Sequence, residues 1–555
     1  MGKRRIVVLG GAISGPAAAA RARETDEHAD IRLLERSRDV SYAACALAYH
    51  ASGEVPSLEA LNRERADFFW DVHRVKVETG TAVARIDARA RVVVANGRRV
   101  AYDALVYALG AESVLPALPG LRGARNAFRF RTLADLEALL ARTDRGGRRV
   151  AVLGGGFIGV EAADGLARRG CQVTLVEQGE RILPAFSPGA AQLAADALRD
   201  LGVVVVEGAR AARAARDGRD IRSLRLDRGR SLDVEAVVVA AGLAPRTGLL
   251  RRAGALLHAD GSVAIDDRCA TSLPGVFACG VCVSVPHAVT GRPAWLPQAA
   301  IADRTAQVAG ACAAGGDARI GPAVGSAIVR AGEITLGRAG LTREEAAVYA
   351  GAGAAVTLVH APSRDPFFPG AADMRVELIH HRGSGRILGA EVVSRSGADK
   401  RIDVLAAAIL GGLTVEQLAG VDLAYAPPFS PARDPVNVAG GVAALSRAGL
   451  SESWSAEELA TRRRRVTVVD VRGEPSSAEG TLAGALRVPL RALRGRLARM
   501  PGGPLVFVCD TGRLSYLATR IARQRGRAAA YLSGGLAAWA SEGRPLGRPR
   551  ARSRS

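Results

Sequence analysis

The chain has 555 residues, 48% of them hydrophobic and 24% charged, with 64 glycines and 25 prolines. This balance excludes a disordered, collagen-like or small disulfide-stapled chain, and at roughly 150 residues per domain it allows about three to four domains. The net charge of +21 is almost all arginine, since Lys3, Lys76 and Lys400 are the only lysines, and aromatics at 4% leave few base-stacking platforms, so nucleic acid is not the expected partner. A basic chain of this kind suits phosphorylated, acidic small molecules. The seven cysteines, at 45, 171, 269, 279, 282, 312 and 509, are scattered and odd in number. No pair of Cys-x2-Cys units occurs, so no metal site is expected, and the free thiols fit a reducing compartment. Lys3-Arg4-Arg5 and the apolar run after it imitate a secretory signal. Gly10, Gly11 and Gly15 interrupt that run, however, and Arg21, Arg23 and Glu24 follow on a helical pattern. Without an apolar stretch of about 18 residues, the chain reads as cytoplasmic with no membrane span.

In chain order, Arg5 to Leu9 is a short apolar strand, followed by Gly10-Gly-Ala-Ile-Ser-Gly15 and a helix over 16–24. A second strand over 31–34 ends at Glu35. This is a βαβ dinucleotide fingerprint with Ala12 in the middle glycine position. Glycines allow the tight turn, the helix N-terminus offers N–H groups to a pyrophosphate, and Glu35 can accept from a ribose hydroxyl. A second copy follows: a strand over 150–153, the turn Gly154-Gly-Gly156-Phe-Ile-Gly159, a helix over 160–169 and a strand over 173–176 ending at Glu177. Two fingerprints in one chain indicate two dinucleotides, as required when a nicotinamide reduces a flavin across a shared cleft. Three apolar strands ending in glycine turns follow the same logic, at Gly110, Gly242 and Gly280. From 325 to 448 the pattern changes to mixed strands and helices without phosphate turns. Polar residues about 446–455 read as a linker, and a last α/β unit has strands over 466–469 and 505–508.

Three segments carry a resemblance. They are Ser41-Tyr-Ala-Ala-Cys45-Ala-Leu-Ala-Tyr49; Asp422-Leu-Ala-Tyr425-Ala-Pro-Pro running to Asn437; and Asp470-Val-Arg472 with Cys509-Asp-Thr-Gly512 and Leu532-Ser-Gly-Gly535. With them the chain resembles the FAD/NAD(P)-dependent disulfide reductases, and most closely the coenzyme A-disulfide reductases fused to a C-terminal rhodanese domain. The resemblance implies an α/β fold with two Rossmann-like dinucleotide-binding domains, an α+β dimerisation domain and a rhodanese-like α/β domain. The expected boundaries are 1–115 and 246–324 for FAD, 116–245 for NAD(P), 325–448 for dimerisation, 449–455 for a linker, 456–547 for the rhodanese-like domain and 548–555 for a basic tail.

The cofactor residues so implied are Gly10, Gly11, Gly15, Glu35, Gly154, Gly156, Gly159, Glu177, Gly242 and Gly280. FAD and NADH or NADPH are the implied cofactors, with NADH preferred because the Glu177 carboxylate repels a 2′-phosphate. The resemblance implies that Cys45, on a small-residue segment and without a Cys-x4-Cys partner, is the single redox thiol, able to form a mixed disulfide with a substrate or a sulfenic acid with peroxide. In the resembling enzymes Tyr425 reaches the cysteine site of the other subunit of a homodimer, where it can hydrogen-bond or protonate a departing sulfur. Ser41 lies on the cysteine segment, and Arg21, Arg23 and Arg63 are candidates for coenzyme A phosphates. Cys509, at the start of a loop rich in N–H groups, is the sulfane-sulfur carrier. The expected substrates are coenzyme A-linked disulfide or persulfide and polysulfide; the rivals are an NADH oxidase or peroxidase, or a degenerate scaffold. Cys279-Gly-Val-Cys282 is read as structural. The chain departs from the family pattern at Ala44, Phe367-Phe368, Val281 and Arg513, and Asp510 places a negative charge beside Cys509, which predicts a slow sulfurtransferase.

Overall fold

The computed structural model describes residues 3–62, 64–144, 147–473 and 480–547, and folds as two compact units, Met1–Ile182 with Leu198–Gly325 and Leu183–Ala197 with Ser326–Ser555. Arg63 and the basic tail 548–555 lie outside the described residues.

The first unit is built on two five-stranded parallel sheets of one plan. In the first, the strand order is Val276–Ala278, Ala104–Tyr107, Arg5–Leu9, Asp30–Leu34, Val75–Glu78. In the second it is Val204–Val206, Gln172–Val176, Arg149–Leu153, Ala236–Val239, Ala127–Phe128. Ile6, Val7, Val8 and Leu9 are all buried, as a central parallel strand covered on both faces requires. Each fingerprint strand is central and has its neighbours arriving from opposite sides, which opens a crevice at its carboxyl end. The helices that follow are Ser14–Thr25 and Phe157–Arg168.

Cys269, Cys279 and Cys312 pack in the core of the first sheet with Ile6, Val8 and Ile31. Burial pushes all three thiols up, Cys279 most of all, and Cys282, pushed up to about 12, donates to the Cys279 carbonyl at 3.1 Å. The Cys279–Cys282 pair is therefore part of the packed interior.

The second unit contains an antiparallel sheet in the order Ala327–Ala331, Ile334–Gly340, Ile387–Ser394, Asp373–His381, Ala354–Pro362. Helices Ala398–Leu410 and Pro435–Arg447 accompany it. The sheet buries Glu377 opposite Glu391, an arrangement held by the Arg343 and Arg375 guanidinium groups. Burial opposes ionisation of both carboxyls; the two arginines overcome it at Glu377, whereas Glu391 stays raised beside the Glu377 charge. Glu391 also accepts from the Ser187 N–H at 2.8 Å, which fastens the Leu183–Ala197 segment to this unit.

The C-terminal sheet is parallel, in the order Ser453–Trp454, Ala529–Leu532, Leu505–Val508, Thr467–Asp470, Leu486–Arg487. Its first strand corrects the expected linker over 449–455. The Glu452 and Trp454 carbonyls accept from Tyr531 and Ser533 N–H at 3.0 and 2.9 Å, and Arg523 holds the Gly449 carbonyl at 3.0 Å. Backbone groups with β-ladder partners do not form a free tether. The Ser533 hydroxyl also caps the Leu358 N–H and carbonyl of edge strand Ala354–Pro362, at 3.3 and 3.2 Å.

Candidate active site

In the first fingerprint, Gly10 has φ +103°, and a Cβ there would lie 2.5 Å from the Ala108 carbonyl oxygen. A Cβ on Gly15 would collide with the Gly10 carbonyl oxygen, so strand and helix meet at a distance only glycine permits. Gly154 and Gly159 repeat both constraints. Gly11 serves differently: a Cβ there would lie 2.9 Å from the Glu35 side chain. The two acids are held in matched cradles. Glu35 accepts from the N–H groups of Gly11 and Ser37, and Glu177 from those of Gly155 and Gly179, each at 2.6 Å.

The two fingerprint helices have no side-chain cap, as is also true of Ala66–His73 and Ala398–Leu410, but the fingerprint pair start at open clefts. Their first N–H groups are left for an outside acceptor, which a pyrophosphate supplies. At the second fingerprint a cleft of about 520 Å³ is lined by Gly154, Gly156, Glu177, Gln178, Arg210 and Gly242, and the position of a Cβ on Gly156 is open space. At the first, a cleft of about 510 Å³ is lined by Ala12, Ile13, Pro16, Ser41, Cys45 and Glu64. Both volumes lie in the range of about 300–1,000 Å³ usual for cofactor pockets. Gly280 packs at the start of helix Ser14–Thr25, where a Cβ would lie 2.6 Å from the Ser14 hydroxyl, and its N–H donates to Thr305 at 2.9 Å. The Val281 carbonyl accepts from the Trp295 indole N–H at 2.9 Å.

Cys45 sits in the short 3₁₀ turn Ala44–Ala46 and is exposed on the wall of the first cleft. Although the residue is exposed, partial loss of water around its sulfur pushes the thiol up; the Glu161 carboxylate adds to the shift and the Arg131 guanidinium opposes it. Ser41 is buried on the same cleft with φ +51°, its hydroxyl 3.4 Å from Glu64. Glu161 and Arg131 are the residues sequence reading missed here. Glu161 stands two places after Gly159, a signal within the fingerprint; Arg131 has no local signal.

The structure corrects one arginine assignment. Arg23 is buried, and its guanidinium donates to the carbonyls of His73 (2.8 Å), Asp26 (3.0 Å), Ala29 (2.7 Å) and Arg74 (3.3 Å), as well as to Glu27. With its donors so engaged, it is a brace rather than a phosphate ligand. Arg21 pairs with Glu24 at 2.9 Å outside the lining of the cleft.

In the second unit, Tyr425 is half exposed and its hydroxyl donates to Asp365 at 2.9 Å. Cys509 is buried at the end of strand Leu505–Val508, where the Ser515 N–H and hydroxyl lie 3.4 Å from its sulfur. The adverse charge expected of Asp510 is offset. Arg472 binds Asp510 at 2.8 Å and buried Asp470 at 2.8 Å. Burial opposes the Asp470 charge, but the Arg472 hydrogen bonds win and hold its carboxyl below the usual range. A paired carboxylate presents far less field to the neighbouring sulfur than a bare one, so the argument for a slow sulfurtransferase from Asp510 does not stand. Among the described residues no group of three His, Cys, Asp or Glu side chains is placed to hold a metal, and no helix is long and apolar enough to cross a membrane.

Comparison with known proteins gives three family matches. Residues 4–305 match the pyridine nucleotide-disulphide oxidoreductases, 327–435 the dimerisation domain of that family, and 455–542 the rhodanese-like domain. Among solved structures, the chain is similar to reduced Bacillus anthracis CoADR-RHD, at 28% identity and a TM-score of 0.94 over 98% of both chains. It is also similar to an NAD-dependent persulfide reductase from A. fulgidus, at 32% identity and a TM-score of 0.90 over 96% of this chain and 100% of that one. A curated relative, an NADH oxidase of Methanocaldococcus jannaschii, is 27% identical over 78% of this chain and 97% of its own.

Proposed function

The chain belongs to the pyridine nucleotide-disulphide oxidoreductase family, and we propose that it is a cytoplasmic, homodimeric NAD(P)H oxidoreductase reducing coenzyme A-linked disulfide or persulfide, and polysulfide, through Cys45. The observation that carries this reading is one exposed thiol on the cleft of the first fingerprint, the only cysteine among the residues lining it. A lone thiol makes its disulfide with the substrate instead of with a neighbour. Its thiolate attacks the substrate S–S bond, one sulfur leaves, and a Cys45–substrate disulfide remains; an electron pair from NAD(P)H then cleaves it and the departing sulfur takes a proton.

FAD, bound when the enzyme is active, supplies the two-electron path from the nicotinamide to this sulfur chemistry. Gly10, Gly15, Glu35 and the uncapped helix Ser14–Thr25 would hold it, while Gly154, Gly156, Gly159, Glu177 and Gly242 would hold the nicotinamide nucleotide. Partial enclosure raises the Cys45 thiol, so the neighbouring Arg131 charge is what favours the attacking thiolate. Tyr425 acts at the sulfur site of the other subunit, and Cys509 carries sulfane sulfur in the rhodanese-like domain. Seven free cysteines support a reducing, cytoplasmic setting.

The second reading is an NADH oxidase using a Cys45 sulfenate, which the M. jannaschii relative favours. NAD(P)H consumption by the holoenzyme with coenzyme A disulfide, coenzyme A persulfide, polysulfide, oxygen and peroxide, each repeated with Cys45→Ser, separates the two. Sulfur acceptors outpacing oxygen and peroxide, with turnover lost in Cys45→Ser, is the expected result. Faster turnover with oxygen or peroxide overturns it.

A further inference from the structure

We propose that Asp365 is a positioning residue for Tyr425, and that the two form one functional pair in which the carboxylate aims the phenol at the sulfur chemistry. The inference rests on the reading of Tyr425 given above. It starts from two loops. One runs from Ser363 to Ala372 and is closed at its base by the Ser363 N–H on the Ala372 carbonyl (2.8 Å) and the Ala372 N–H on the Ser363 hydroxyl (3.1 Å). The other, Ala424 to Ser430, is closed by the Ser430 hydroxyl on the Ala424 carbonyl at 3.1 Å. Pro366 and Pro369 stiffen the first and Pro427 and Pro428 the second.

A single buried guanidinium ties the two bases together. Arg401, on helix Ala398–Leu410, donates to the Ser363 carbonyl at 2.9 Å, the Phe429 carbonyl at 3.4 Å and the Asp434 carboxylate at 2.9 Å. At the tips, the only hydrogen bond joining the loops among the described residues is Tyr425 to Asp365, at 2.9 Å. Phe367 and Phe368, which follow Asp365 in the same loop, offer no hydroxyl. Asp365 is the charged group acting on the phenol, and the hydrogen bond it accepts raises the Tyr425 pKa from its ordinary value, so the proton stays on Tyr425.

The chemistry follows from where that proton points. A phenol whose hydrogen is engaged by a carboxylate offers its oxygen lone pair outward, so Tyr425 meets a sulfur as an acceptor from S–H. This orients a thiol in the site without transferring a proton to it. The alternative, a Tyr425 that donates to a thiolate, requires the Asp365 bond to break first. Asp365→Ala therefore separates the two. If Asp365 aims the phenol, its removal slows the acceptor step; if Asp365 merely occupies the phenol, its removal frees Tyr425 and speeds that step.

The test uses the FAD-loaded homodimer with coenzyme A disulfide and a four-member set: parent, Asp365→Ala, Tyr425→Phe and the double variant, with Asp365→Asn as the conservative change. Loss of a hydrogen bond to a charged group predicts a fall of about tenfold in kcat for Asp365→Ala, with KM for NADH and the rate of flavin reduction by NADH unchanged. The double variant should be no slower than the slower single one, and Asp365→Asn, which keeps an acceptor, should recover part of the loss. Parental or faster turnover in Asp365→Ala, or losses that multiply in the double variant, overturns the pair while leaving Tyr425 in place. Unchanged turnover in Tyr425→Phe overturns the pair together with the role of Tyr425 beneath it.

Discussion

Arg401 and Asp434 give a sharp test of the energetics of the second unit. Both side chains are buried, and apart from Asp434 the guanidinium has, among the described residues, the Gly397, Ser363 and Phe429 carbonyls as partners. Arg401→Met leaves the Asp434 carboxylate inside the protein with, among the described residues, one remaining hydrogen bond, from the Val436 N–H at 3.0 Å. Breaking a buried pair from one side costs about 3–5 kcal/mol, because an uncompensated charge stays behind. For a unit of roughly 150–250 residues, in which each kcal/mol shifts Tm by about 2–4 °C, the expected fall is about 6–20 °C. Asp434→Asn alone also destabilises, since it strands the guanidinium. Its sign should reverse in the Arg401→Met background. There the asparagine removes the stranded anion while its carbonyl oxygen still caps Val436, so the double variant should unfold at a higher temperature than Arg401→Met. Calorimetric melting of all four proteins, with flavin fluorescence followed separately, measures this directly. If Asp434→Asn lowers the Tm of Arg401→Met further, the stranded charge is not what the single substitution exposes, and the reasoning fails.

Two more outcomes are expected. With Glu177 held at the cleft of the second fingerprint by the Gly155 and Gly179 N–H groups, the parent should use NADH with at least tenfold the kcat/KM of NADPH, and Glu177→Gln should narrow that ratio by about tenfold; equal or better use of NADPH by the parent rules the carboxylate out as the selector. Cys509→Ser should abolish sulfur transfer from thiosulfate or polysulfide to cyanide while sparing reduction of coenzyme A disulfide, and Cys45→Ser should do the reverse. If neither activity responds to Cys509→Ser, the rhodanese-like domain carries no sulfur.

The parts of this protein that were legible in the sequence are those whose chemistry is written in consecutive residues. Gly15 must be glycine because of the Gly10 carbonyl five positions earlier, and Gly159 repeats the rule against Gly154. Cys45 stood out because alanines surround it, and its neighbours do leave it exposed. What was illegible depends on partners distant in sequence. Arg23 looked like a free cation on a helix, but the carbonyl it braces at His73 is 50 positions away. Asp510 looked like an unfavourable charge until Arg472, 38 positions earlier, closed on it. The supposed linker was polar, as tethers are, yet the Tyr531 and Ser533 N–H groups pair with its Glu452 and Trp454 carbonyls and make Ser453–Trp454 a strand.

Arginine explains much of this difference. In a chain with so few lysines, composition says little about what any one arginine does, because a guanidinium has five donors and serves equally as phosphate ligand, ion-pair partner or carbonyl brace. Burial decides among these roles. Arg23, Arg401 and Arg472 are buried with their donors directed at protein oxygens, and they act on function only through what they hold: the loop behind helix Ser14–Thr25, the two loops that present Tyr425, and the charge beside Cys509. Half-buried Arg131 is the exception, since its charge acts on the Cys45 thiol itself. The arginines that tune this site are thus identified by their surroundings, whereas its glycines and cysteine are identified by their sequence.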